Sequence, residues 1–150
     1  MADGKTTLTK PMAELLETGE ELVGGCKAAG KNAALKGAVG GLAAAAIPGS
    51  SSAGLAADVP QDKVFWIGVT NRRLVYFGVG ALTSAPKKYR GATPLEVVQS
   101  VAITKQKLSR RLTLAFTDGS STVIDLYRAN SPDQVQSALE QLLPGRVSTS

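Results

Sequence analysis

Apolar and polar positions alternate most regularly in the second half of the chain. Phe65, Ile67 and Val69 interleave with Val64, Trp66 and Gly68, and Thr70-Asn71-Arg72-Arg73 then turns the chain into Leu74-Val75-Tyr76-Phe77. A period of two broken by a short polar turn predicts adjacent antiparallel strands. Gly78 to Gly91 holds Pro86 and the cluster Lys87-Lys88-Tyr89-Arg90, which predicts an irregular or edge-strand connection because proline lacks the donor a central strand needs. Val97 to Ile103 returns to β-type composition, and Arg111 to Phe116 alternates with Leu112, Leu114 and Phe116 on one side. If Ile124 and Leu126 share that side, the loop before them must hold an odd number of residues, since a one-residue slip turns the whole set outward. Thr117-Asp118-Gly119 satisfies this. It puts glycine at the left-handed third position of a three-residue hairpin loop and pairs Leu112 with Ile124 and Leu114 with Thr122.

A change of period marks the end of the β region. Ser131-Pro132-Asp133-Gln134 predicts a helix start, with Ser131 as N-cap, Pro132 at the first helical position and Gln134 completing a capping box. Val135, Ala138, Leu139 and Leu142 form one apolar stripe, and Pro144-Gly145 ends it. At the other end, residues 1–10 are small and polar and predict a frayed terminus. Met12 to Glu17 suits a short helical turn, and Glu20-Glu21-Leu22-Val23 begins a first strand running toward Ala28. Residues 33–57 are nearly all Ala, Gly and Ser, a composition that predicts a flexible insertion or a short, loosely packed helix before a Ser/Gly loop. Gly37 and Gly41 stand in the spacing that lets helix backbones approach closely. The apolar run from Gly37 to Ile47 is far short of the roughly 20 residues that span a bilayer. The expected plan is an N-terminal extension over 1–19, one β-rich domain over 20–143 containing the insertion at 33–57, and a tail over 144–150.

Composition narrows the chemistry. A chain of 150 residues is long enough for one self-sufficient core. It has no histidine, so it offers neither a Cys/His zinc site nor a histidine-based triad. Its one cysteine, Cys26, cannot form an internal disulfide, and the N-terminus lacks the order of a secretory signal, so a cytoplasmic setting is expected. The net charge of +5 is unevenly spread. Between Lys63 and Arg128 there are eleven Lys and Arg against three carboxylates, whereas Glu14 to Glu21 carries four carboxylates and no cation. A basic β region favours an anionic partner.

Gly25 to Lys31 matches G-x-x-x-x-G-K, the phosphate-loop pattern. Asn32 stands where a Ser or Thr hydroxyl would hold magnesium, and no apolar strand ending in Asp follows at a useful place. Gly30 and Lys31 are better read as the end of a strand. Glu96, Asp118 and Asp125 are scattered over a turn, a loop and a strand, and form no acid/base pair. No catalytic residue, cofactor or metal ligand is nominated.

Several strands followed by one amphipathic helix, with the particular residues Val69-Thr-Asn-Arg-Arg-Leu-Val-Tyr76, resembles the bacterial pleckstrin-homology-like (PH-like) domain family and its strand-turn-strand signature. Pro94-Leu-Glu-Val-Val-Gln-Ser-Val-Ala-Ile103 is similar to that family's short turn leading into a strand, and Leu108 to Leu114 to its next strand. The likeness covers about residues 61–143 and extends weakly to Glu20-Glu21. The resemblance implies a mainly β fold, a partly open barrel or a two-sheet antiparallel sandwich capped by the C-terminal helix, and a binding module rather than an enzyme. It also makes assembly through sheet edges an expectation. Phosphoinositide-binding members carry a Lys and an Arg-x-Arg around the first hairpin, and this chain has no Arg-x-Arg there, so headgroup specificity does not transfer.

The concentrated basic sites are Lys87, Lys88 and Arg90 with Tyr89, and Lys105, Lys107, Arg110 and Arg111. One reading makes them solvated loops and guards on sheet edges. The functional reading makes them a patch for an anionic membrane surface, peripheral at its inner face. A second functional reading is a protein-interaction or self-assembly module, and single-stranded nucleic acid is the weaker fit, because only seven aromatics are present and most lie on expected core strands. Trp66, inside a β run, is expected in the core.

Overall fold

The computed structural model describes residues 4–30, 59–60, 64–79, 85–107, 109–127 and 132–149. The 33–57 segment, Lys31, Asn32 and Ser131 lie outside them, so the expectations placed there are left as expectations. In chain order the elements are α1 (Gly4–Met12), β1 (Leu22–Gly30), β2 (Val64–Thr70), β3 (Arg73–Val79), β4 (Pro86–Pro94), a 3-10 turn (Leu95–Val97), β5 (Val98–Lys105), β6 (Ser109–Phe116), β7 (Ser121–Tyr127), α2 (Pro132–Leu142) and β8 (Val147–Thr149). The chain is mainly β. Its eight strands form one sheet in the order β4-β3-β2-β1-β7-β6-β5-β8, which does not close on itself.

Two hairpins set the register. Thr70 leads through Asn71-Arg72 into β3, pairing Val69 with Leu74 and Ile67 with Tyr76. The second hairpin has the expected three-residue loop, with Gly119 at φ +87, Leu112 opposite Ile124 and Leu114 opposite Thr122. Strand β1 joins the two halves. It pairs with β2 over most of its length and with β7 at Ala28, Ala29 and Gly30.

The concave face of the sheet holds one continuous core. Phe65, Ile67, Leu74 and Tyr76 from one half meet Val101, Ile103, Leu112, Leu114, Phe116, Ile124 and Leu126 from the other, and Val135, Ala138 and Leu139 of α2 complete the cluster. Strands this far apart in the sheet order can share a core only if the sheet curls around it. Close approach of α2 to β1 depends on Gly24, where a Cβ would lie 2.9 Å from the Gln134 carbonyl oxygen. Gln134 itself, expected in a capping box, accepts a hydrogen bond at Oε1 from the Lys5 backbone N–H, 3.1 Å away.

Three features differ from expectation. Residues Gly4–Met12 are helical rather than frayed, because Leu8 and Met12, one turn apart, are wholly buried against the convex face of the sheet. There they cover a second cluster of Leu22, Trp66, Val75 and Phe77. Trp66 is therefore buried as expected, but on the opposite face from the main core. The expected tail instead adds β8, which pairs in parallel with β5, so the sheet is mixed rather than wholly antiparallel. The first strand is Leu22–Gly30, shifted two residues later than its expected start at Glu20.

Candidate functional site

The Thr70-Asn71-Arg72-Arg73 turn is the most densely bonded part of the described chain, and its partners are internal. Asn71 accepts from the Glu21 N–H and donates to the Gly19 carbonyl, both at 3.0 Å. Arg72 donates to the Thr18 carbonyl at 3.0 Å, and Arg73 Nη2 to the Leu15 carbonyl at 2.6 Å. Arg73 also grips buried Glu20 through Nε to Oε2 at 2.9 Å and Nη2 to Oε1 at 3.1 Å. The Thr70 hydroxyl donates to Glu20 Oε2 at 2.6 Å, and the Glu17 N–H donates to Oε1 at 3.0 Å. Burial raises the Glu20 pKa, but these bonds and the Arg73 charge outweigh it and bring the carboxyl down to about 2. Each polar side chain in the turn ties residues 15–21 to the β2–β3 hairpin. This turn is a structural clamp, each of its polar side chains bonded within the chain.

The seven basic candidates fall into two separate groups. Arg110 and Arg111 are committed to carboxylates: Arg110 donates to Asp133 Oδ1 and, at 2.9 Å, to Gln136 Oε1, and Arg111 Nε donates to Asp125 Oδ1 at 2.9 Å. Lys105, the last residue of β5, and Lys107, within the β5–β6 turn, are exposed, and with Arg110, Gln106, Ser109 and Pro132 they line an open groove of about 400 Å³. Paired guanidiniums there leave less positive field than the residue count implies.

Lys87, Lys88 and Arg90 are arranged differently. They lie on β4, the outermost strand at one end of the sheet, and among the described residues no carboxylate pairs with them. In a regular strand, alternate residues of 87–90 would point to opposite faces. On this edge all four are exposed, Lys88 and Tyr89 still on opposite faces, and the β3–β4 register breaks on either side of that pair, between Tyr76 and Phe77 and between Gly78 and Val79. Arg90 and Lys87 are the extra residues at those breaks. Bulges of this kind are common on edge strands and redirect side chains. Lys88, Tyr89 and Arg90 line an open groove of about 720 Å³ with Val64, Gly78 and Val79. Val79 and Tyr89, 36 % and 44 % exposed, are the large hydrophobics left uncovered among the described residues. Sequence reasoning identified Tyr89 by its charged neighbours, but Val79 carried no such signal.

Cys26 is wholly buried, and burial pushes its thiol up to about 12 despite hydrogen bonds to the Tyr127 and Lys27 carbonyls. A thiol held so far from ionisation is a poor nucleophile. Among the described residues there is no cluster of His, Cys, Asp and Glu able to hold a metal ion. None of the helices among them is long and apolar enough to cross a membrane. No family model matches the chain, and no curated protein matches it.

Proposed function

We propose that the chain is a non-enzymatic binding module of the PH-like class whose β4 edge attaches it peripherally to an anionic membrane surface, at the membrane's inner face. The strand order, the single C-terminal helix packed into the core and the Thr70–Arg73 turn support the PH-like part of this reading. The membrane part rests on one observation: Val79 and Tyr89 lie within the same groove as Lys88 and Arg90. Cations alone suit any polyanion, whereas cations set around an exposed aromatic and an aliphatic side chain suit the headgroup layer, where aromatic rings are favoured. Each cation near acidic lipid contributes about 1 kcal/mol. Three therefore give weak, salt-sensitive attachment, and the two apolar side chains add to it. The β5–β6 group contributes less, since Arg110 and Arg111 already face carboxylates.

Co-sedimentation with vesicles of phosphatidylcholine, with and without phosphatidylserine, tests this reading. Binding should require the anionic lipid and weaken as salt is raised. It should fall when Lys87, Lys88 and Arg90 are changed together to Gln, and fall again with Tyr89→Ser. Indifference to lipid charge would overturn the membrane role in favour of a protein-interaction role. Preference for single-stranded nucleic acid over vesicles would turn the same basic surface to that use.

A further inference from the structure

The exposed Tyr89 is the visible end of an aromatic row. On the convex face of the sheet Trp66 pairs across strands with Phe77, Phe77 pairs with Tyr89, and the Phe77 and Tyr89 rings meet edge to face with centroids 6.1 Å apart. The row thus crosses β2, β3 and β4 and ends among the β4 cations. Only Tyr89 is uncovered. Trp66 and Phe77, with Val75 beside them, share an apolar cluster with Leu8 and Met12 of α1, and Leu15 and Leu16 pack against its edge from beyond the helix.

That cover is weak by composition and sharply bounded. Gly4, Pro11 and three threonines in nine residues are poor helix formers, and helices this short do not persist without packing. The Thr9 hydroxyl bonds back to the Lys5 carbonyl at 2.8 Å, a contact that slightly loosens helices. Just past α1 the situation reverses: from Leu15 to Glu21 the backbone is gripped by Asn71, Arg72 and Arg73. The firm anchor begins where the weak helix ends, so the residues between Met12 and Leu15 form a hinge. Release of α1 beyond it breaks the Lys5 N–H bond to Gln134 Oε1 and withdraws Leu8 and Met12 from the convex cluster, but breaks no strand pairing.

We infer that the membrane-facing surface is the whole Trp66–Phe77–Tyr89 row, and that α1 is a releasable cover which leaves when the β4 edge meets an anionic bilayer. The inference rests on the membrane reading of β4. The occupant of the uncovered face is the headgroup and upper acyl layer, because the face is continuous with the basic edge and carries the aromatic side chains that layer accepts. Binding then draws on a minority state, and the apparent affinity scales with the fraction of molecules in which α1 is released.

Trp66 is the only tryptophan in the chain, so its emission reads the cover directly. The full chain is mixed with phosphatidylcholine/phosphatidylserine vesicles whose acyl chains are brominated near the headgroup, and with brominated phosphatidylcholine vesicles alone. Release predicts about a twofold or greater loss of Trp66 emission with the anionic vesicles and none with the neutral ones. Leu8→Ala should tighten anionic-vesicle binding by about tenfold, and Thr9→Ala, which favours the helix, should weaken it. Continued protection of Cys26 from thiol reagents shows that the core of Leu8→Ala is intact. Vesicle binding with unchanged Trp66 emission, or an unchanged affinity in both variants, overturns the releasable cover and leaves the β4 reading standing. Equal quenching by neutral vesicles overturns the link between release and the basic edge. Failure of the wild-type chain to bind either vesicle overturns both readings.

Discussion

Glu20 and Arg73 stand 53 positions apart yet form a two-pronged, part-buried ion pair. The Glu20 side chain has no solvent exposure, while that of Arg73 keeps 22 %. With a folded pKa of about 2 against an ordinary 4.5, Glu20 binds its proton more readily in the unfolded chain. Its contribution is therefore complete above about pH 4.5 and is lost as the pH falls toward 2. At about 1.4 kcal/mol per pKa unit, and allowing for the solvent reaching Arg73, that contribution is about 2 kcal/mol. Denaturant unfolding across this window should show the loss in the wild type. Glu20→Gln should be less stable at neutral pH and show a flatter acid limb. Parallel acid limbs would assign the loss to other carboxylates. Cys26 provides a second check at this scale: at mildly alkaline pH it should resist iodoacetamide in the folded chain and react once the chain is unfolded.

At the scale of elements, the part written in local periodicity was legible. The odd loop before Ile124 follows from parity alone, and Leu112 does face Ile124. The edge-strand reading of Pro86 and the N1 position of Pro132 were legible for the same reason, since proline restricts the backbone wherever it stands. What depends on distant partners was hidden. Two apolar residues among threonines and lysines do not distinguish α1 from a frayed end; only the Trp66–Phe77 face beneath them does. The double bulge in β4 has no signature in residue type, and neither does the exposure of Lys87, Lys88, Tyr89 and Arg90 together on that edge. Arg110 and Arg111 looked equivalent to those residues until Asp133 and Asp125 came beside them. The contact of α2 with β1 is testable here. Gly24→Ala would push a methyl against the Gln134 carbonyl, a backbone atom that cannot rotate away, and should cost about 1–3 kcal/mol in denaturant unfolding. A loss under a few tenths would mean that α2 shifts freely.

For the whole molecule the open sheet leaves β4 at one end and the short β8 at the other. An uncovered strand is a template for a second chain. Lys87, Lys88, Arg90 and the two bulges make β4 a poor template, so the cations have a structural use beside the proposed one. Lys87→Thr with Lys88→Val should promote concentration-dependent association visible in light scattering, with the wild-type mass restored by Glu at the same positions. Anionic-vesicle binding should not return with Glu, because the edge guard needs charge of either sign and the membrane needs positive charge. An unchanged scattering mass for the Thr/Val pair would remove the guarding role.

Strand β1 carries a consequence in time. It is the sole bridge between the two halves of the sheet, and its bond to β7 joins Ala28 to Leu126, across most of the chain. A ribosome must therefore release nearly the entire domain before its first strand can acquire its last neighbour. Until then, Ala28 and Ala29 are paired on one side only. Closing such a long loop is entropically expensive and slow, so the β1–β7 seam should form late in refolding, after the β2–β3 and β6–β7 hairpins have their own hydrogen bonds. Pulse-labelled hydrogen exchange should show the amides of Ala28 to Gly30 gaining protection after those of Leu74 to Phe77. The reverse order would mean that the two halves meet before either is built.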